Sequence, residues 1–264
     1  MASRQPFRDR AVVIRSYDFG EADRIIVLLT KEHGLVRGVA KGVRRAKSRF
    51  GSRLQPFVEL DVQLYPGRNL STISQADTVT YHGARIIEEY ERYTAACAAL
   101  ESAERLAFAD DSPAHGDAFL YTRISETLER LNAPRDSNAL PDALLGEAGP
   151  TALLDAFLLQ AMAHAGWAPS LFDCAACGAG GPHHAFHPAV GGAACHQCRP
   201  SGSAEVDPEA LHLMWLLAGD HLASAGTILQ GRPDLGATAH QLTKAHLQWH
   251  LERKVTALSV MDQS

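Results

Sequence analysis

Two short cysteine pairs, "CAAC" at 174–177 and "CHQC" at 195–198, are separated by seventeen residues. Each C-x2-C puts two thiolates on one tight turn, and a spacer of that length lets the turns meet. Four sulfurs can then complete the tetrahedron that Zn2+ accepts without geometric strain. The spacer "GAGGPHHAFHPAVGGAA" is rich in Gly and Pro and has little from which to build a core. A metal can supply what packing cannot there, so the expectation is one structural Zn2+ held by Cys174, Cys177, Cys195 and Cys198. His183, His184, His187 and His196 could each replace a thiolate, but four sulfurs already close the shell and surface positions explain them. Catalytic zinc needs an open coordination position, which four cysteines do not leave. A redox C-x-x-C belongs at a helix start in a βαβ context that this segment lacks. A zinc deaminase needs H-x-E before P-C-x-x-C, whereas the H-x-E here, His250–Glu252, follows both pairs and Ala194 precedes Cys195. Cys97 lies on an apolar helix face and reads as a core residue.

The second group able to do chemistry is cationic. Arg37, Lys41, Arg44, Arg45, Lys47, Arg49 and Arg53 fall within "RGVAKGVRRAKSRFGSR", which contains no acid. Guanidinium groups on a flexible loop can follow a phosphate backbone without reading bases. Phe50, inside the stretch, could stack on a base or anchor the loop. The concentration stands out because the whole chain carries a formal charge of −5; residues 1–80 hold fourteen Lys/Arg against eight Asp/Glu, and the rest eleven against twenty-two. A partner meets a surface and not an average, so the basic segment points to a polyanion.

Enzyme signatures are missing. "GVAKGVRRAKS" does not fit G-x-x-x-x-G-K-[ST], no G-x-S-x-G occurs, and the acids are scattered over helices where i,i+4 pairing explains them. The expectation is therefore no catalytic residue. The N-terminal "MASRQPFRDRAVVIRS" carries charge where a signal peptide needs an apolar run. The most apolar helical stretch, "TALLDAFLLQAMAHAGWA", is interrupted by Asp155, Gln160 and His164, so no membrane span is expected. Five cysteines in 264 residues fit a reduced cytosolic chain.

The elements that must position these groups change character along the chain. The runs Ala11–Tyr17, Arg24–Thr30, Leu35–Ala40, Val58–Tyr65 and Leu70–Thr80 read as strands. In "VELDVQLY" the alternation is strict, with Val58, Leu60, Val62 and Leu64 on one face. Five strands without a long helix suggest a small barrel, an OB-fold first, with the basic loop after its third strand. From about Ala84 the period becomes helical: Ile86, Ile87, Tyr90, Tyr93, Cys97, Leu100 and Leu106 form one face, and Phe119, Leu120, Ile124, Leu128 and Leu131 another. A long helix starts at Pro150. A further helix follows Asp207, an N-cap with Pro208 at the first helical position. A last helix is expected from about Ala237 to Leu258, its Trp249 in the core. The expected architecture is α+β: an OB-fold nucleic-acid-binding domain over 1–81, then a helical domain over 82–264 with a zinc-binding insert at about 172–200.

The block "ADRIIVLLTKEHGLVRGVAKGVRRAKSRFGSRLQPFVELDVQLY" and the later cysteine pairs resemble the bacterial recombination mediator family RecO. The resemblance runs end to end; its "VAKGVRRAKS" to "LQPF" part is specific, and the helical part matches in layout. It implies a non-enzymatic, cytoplasmic and nucleoid-associated DNA-repair protein. Such a protein binds single- and double-stranded DNA, anneals complementary strands, contacts single-stranded-DNA-binding protein, and joins RecR in loading RecA. Lys41, Arg44, Arg45, Lys47 and Arg49 would be DNA contacts, and the four cysteines zinc ligands. Arg37 and Arg53 extend the DNA set on charge alone. The competing expectation is a zinc-containing interaction scaffold without intrinsic DNA activity. On the acidic-peptide side, the last helix, with Lys244, Arg253 and Lys254, could dock the tail of single-stranded-DNA-binding protein.

Overall fold

The computed structural model describes residues 5–109, 118–134, 149–251 and 255–261. The chain divides into two compact units, one of residues 1–90 with 107–132, the other of 91–106 with 133–264.

The first unit is built on five strands: β1 (Phe7–Phe19), β2 (Asp23–Thr30), β3 (Gly34–Ala40), β4 (Val58–Tyr65) and β5 (Ser71–Tyr81). They close into a barrel in the order β1-β2-β3-β5-β4, with β4 returning to β1. All pairings are antiparallel except β3–β5. This is the five-stranded OB-fold expected from the alternating runs. The apolar face of β4 points inward as its period required: Val58, Leu60, Val62 and Leu64 lie in the barrel core with Ile26, Leu28 and Ile73. Closure needs a glycine where β3 meets β5, since a Cβ on Gly38 would sit 2.7 Å from Ile73 Cγ1.

A short helix α1 (Gly83–Ile86) follows the barrel, and α3 (Ala118–Asn132) packs with it in the same unit. Leu120, Ile124, Leu128 and Leu131 of α3 are buried as expected, while Phe119 is exposed. The outward side of β4 is not left to water. Glu59 is 8% exposed and accepts hydrogen bonds from Tyr121 (2.6 Å), Ser125 (3.3 Å) and Arg10 (2.8 Å), with His82 Nε2 at 3.9 Å. A buried carboxylate needs such partners to remain ionised. The His82 ring acts most strongly, then the Tyr121 hydroxyl and Arg10; together they overcome burial and hold the carboxyl at about 2. Glu59 thereby fastens α3 onto the barrel wall.

The second unit is helical, with α4 (Gly149–His164), α5 (Pro208–Ala218), α6 (Leu222–Gly231), α7 (Pro233–His250) and α8 (Thr256–Met261). Helix α2 (Tyr90–Ala109) runs through both units. The expected apolar face holds in part: Ile86, Leu100 and Leu106 are buried. Ile87, Tyr90 and Tyr93 are exposed and Cys97 is only half-buried, whereas Ala95, Ala96, Ala98, Ala99 and Ala103 are fully buried. The buried side of α2 therefore combines these alanines with Leu100 and Leu106, and leaves the two tyrosines outside. The last helix also departs from expectation. It stops at His250, where Leu251 turns extended (φ −87, ψ 128), and α8 is separate. Residues 252–254, including Arg253 and Lys254 of the expected basic set, lie outside the described residues. Asp155 is 1% exposed and is held by His240 Nδ1 at 2.8 Å. Asp207 caps α5 as expected, accepting from Glu209 N at 3.0 Å.

Candidate nucleic-acid interface and metal centre

Strand β3 ends at Ala40 and β4 begins at Val58, so the cationic segment is the connection between them. Its two apolar members explain why a loop of charges holds a shape. Phe50 and Leu54, 1% and 2% exposed, reach into the barrel core. Fully burying a phenylalanine is worth ~1.5–3 kcal/mol, enough to tether the loop at its middle. Phe50 is therefore an anchor, and the alternative of a base-stacking Phe50 is overturned by its burial.

The start of the loop is tied to the β1–β2 turn. Gly42, with a left-handed φ of 67°, donates its N–H to Asp23 Oδ1 at 2.7 Å, and Arg44 N donates to Ala22 O at 3.0 Å. Asp18 accepts from Arg24 Nε at 2.9 Å and lies 3.3 Å from Arg44 Nη1. The segment "DFGEAD" (residues 18–23) thus both joins β1 to β2 and holds the start of the cationic loop.

All seven cations are exposed: Arg37, Lys41, Arg44, Arg45, Lys47, Arg49 and Arg53. Arg44 has its half-share of Asp18. The other six form no ion pair among the described residues. The Arg37 guanidinium lies 5.3 Å from the centre of the Phe108 ring, and that of Arg49 lies 4.8 Å from the ring of Phe50. Arg53 Nη1 donates to Arg49 O at 3.0 Å. Aromatic faces and a carbonyl orient a guanidinium without cancelling its charge. The result is a cationic ridge tethered at its start by Gly42 and Arg44 and in its middle by Phe50 and Leu54, with six of its seven charges without an ion pair among the described residues.

The cysteine pairs sit in a small sheet of the second unit, β6 (Ala185–His187) between β7 (Gly192–Ala194) and β8 (Ala204–Glu205). Cys195 and Cys198 follow β7 directly, with Arg199 N closing that turn onto Cys195 O at 3.0 Å. The first pair is laid alongside by Ala175 N donating to Ala193 O, and its own turn is closed by Gly178 N on Cys174 O, both 2.8 Å. The four sulfurs all lie within 4.8 Å of one another, and Cys177 Sγ is 3.9 Å from Cys195 Sγ. A tetrahedron with metal–sulfur bonds of ~2.3 Å has edges of about 3.8 Å, so the set fits one thiophilic ion. Backbone N–H groups of Cys195 and Cys177 aim at Cys174 and lower its thiol, whereas the crowding sulfurs of Cys177 and Cys195 raise that of Cys198, so without a cation the four cannot all be thiolates. No histidine joins the cluster. His184 and His196 are exposed and His187 half-buried, but His183 is not the surface residue expected: it is 6% exposed, with Nε2 2.9 Å from Ala179 O. Cys97 stands outside the cluster with its thiol raised by burial.

Trp249 of α7, expected in the core, is 59% exposed. The helix instead buries Leu235, Ala239, Leu242 and Leu247. Among the described residues no helix is long and apolar enough to cross a membrane.

Two family models match this chain: the N-terminal part of recombination protein O over residues 1–82, and its C-terminal part over residues 87–259. The barrel with its cationic loop falls in the first match and the helical unit with its four-cysteine cluster in the second. The chain belongs to the recombination protein O family, the mediators of recombination in DNA repair.

Proposed function

We propose that this chain binds single- and double-stranded DNA through the loop after β3, anneals complementary strands, and helps RecR load RecA onto DNA covered by single-stranded-DNA-binding protein. The observation that carries the reading is the ridge of seven exposed cations, of which Arg44 alone has a carboxylate partner among the described residues. Annealing needs no catalytic side chain. Two polyanions must be brought together with their repulsion neutralised while their bases stay free to pair, and contact with the backbone alone does that. The ion in the four-cysteine cluster is Zn2+ in this reading, with a structural role, because a closed sulfur shell leaves no position for substrate.

The test is charge reversal at Arg45→Glu and Lys47→Glu, two ridge residues without an ion pair. Binding to unrelated single strands and duplexes should fall together, and strand annealing with and without single-stranded-DNA-binding protein should fall with it. Loss of preference for one sequence only, or no change, would sink the assignment. A second reading has one observation in its favour. Trp249 stands exposed on α7, edge-on to the His187 ring, an aromatic anchor of the kind an acidic, apolar-ended peptide such as the tail of single-stranded-DNA-binding protein could use. Trp249→Ala should weaken that peptide without touching DNA affinity; an unchanged peptide affinity removes this reading.

A further inference from the structure

Strand β1 has two neighbours only for part of its length. Its pairing with β4 covers Phe7 to Val12, while its pairing with β2 continues to Phe19. The last residues of β1 therefore form an open edge. After the irregularity between Val13 and Arg15, cross-strand partners set which side chains share a face. One row runs Arg15–Val27–Arg37 across β1, β2 and β3, and the next runs Tyr17–Ile25–Val39. Phe19, opposite Asp23, continues that face. Ile25, Val27 and Val39 are covered, at most 8% exposed. Tyr17 and Phe19 are not: they stand 41% and 46% exposed.

Single exposed aromatic residues are ordinary. These two differ in three respects. They are alternate residues of one strand, so their rings rise ~7 Å apart on the same side. They lie on the open edge and not over a covered sheet. They also adjoin the start of the cationic loop, because Asp23, opposite Phe19, accepts from Gly42 N; Asp18, between them in sequence but on the other face of the strand, holds Arg44. Asp18 and Asp23 are thus engaged within the protein, Glu21 of the same turn stays exposed, and Lys41, which follows Ala40 opposite Arg24, brings positive charge to this end of the sheet.

We infer that Tyr17 and Phe19 form a base-stacking step for single-stranded nucleic acid, with the strand's phosphates on the ridge and its bases on the two rings. This rests on the proposed DNA-binding role and adds to it a reason to prefer unpaired strands: every base has a π-face, but only an unstacked base can offer it. Bases in a duplex are already stacked, so the step contributes nothing there.

The experiment uses the full chain with Tyr17→Ala, Phe19→Ala and the conservative Phe19→Trp. Anisotropy is measured with a labelled oligothymidine, the same length of abasic strand, and a duplex; thermal unfolding checks that the fold is intact. Each alanine should weaken oligothymidine binding about tenfold. It should change duplex binding by less than twofold, and leave the slope of log affinity against log salt unaltered, since no phosphate contact is lost. Phe19→Trp should bind as well as the parent. On the abasic strand the alanine variants and the parent should be indistinguishable. Equal losses on single strand and duplex would assign the rings a structural role and overturn the inference. If the alanine variants bind normally while Arg45→Glu with Lys47→Glu abolishes binding, the stacking step falls and the ridge stands. If neither set matters, both fall.

Discussion

Removing two charges from the ridge should change the salt dependence of DNA binding by a calculable amount. Of the seven cations, Arg44 shares Asp18 and six have no ion pair among the described residues. If each of those six neutralises one phosphate, the slope of log affinity against log salt on a single strand is about −4.2, at ~0.7 per contact. Raising salt from 50 to 200 mM then weakens binding about 300-fold. Lys41→Ala with Arg45→Ala leaves four contacts, a slope of about −2.8 and a loss of about 50-fold over the same range. Arg44→Ala alone should move the slope by less than one full contact, because deleting it also frees Asp18 to bond only Arg24. Fluorescence anisotropy on a labelled oligonucleotide of about 20 residues, titrated at four salt concentrations, measures all three. A slope that is unchanged in the double variant would refute the ridge as the phosphate site. A slope change for Arg44→Ala as large as that for Arg45→Ala would refute the partition drawn from Asp18.

Acid should loosen the barrel wall through Glu59. Its carboxyl is lowered from 4.5 to about 2 in the folded chain, so its contribution is complete above the unfolded value and drains away as pH falls towards 2. That contribution is on the order of 3 kcal/mol at most. Urea unfolding at pH 7 and pH 3 should show a steeper acid loss in the parent than in Glu59→Gln; parallel acid limbs would show that the hub is not the cause. For the metal centre, elemental analysis should find one zinc per chain. Cys195→Ser and Cys198→Ser should each reduce it, and chelation should open 172–200 to proteolysis while the barrel stays resistant. Retained metal in both variants would dismiss the cluster. At the start of α5, Asp207→Ala removes the bond to Glu209 N and an ion pair to Arg232, and should lower stability by ~1 kcal/mol in denaturant unfolding. No shift in midpoint would mean the cap is redundant.

Whatever depended on local period or spacing could be read from residues in order. The alternation of Val58, Leu60, Val62 and Leu64 determined a half-buried strand, the C-x2-C pairs determined two turns able to meet, and the acid-free run from Arg37 to Arg53 determined a cationic loop. Each is a property of neighbours a few positions apart. The tertiary structure decided everything that required distant residues to arrive. Phe50 became an anchor because the barrel core had room for it. Glu59, an outward strand position by period, became buried because Tyr121 and Ser125 of α3 cover it. On α2 the alanines took the interior with Leu100 and Leu106, and the tyrosines the surface, which helical period alone did not separate. Trp249 faces outward, and Arg44 is half-spent on Asp18. A side chain's environment is set by what packs against it, and that partner lies tens of residues away along the chain.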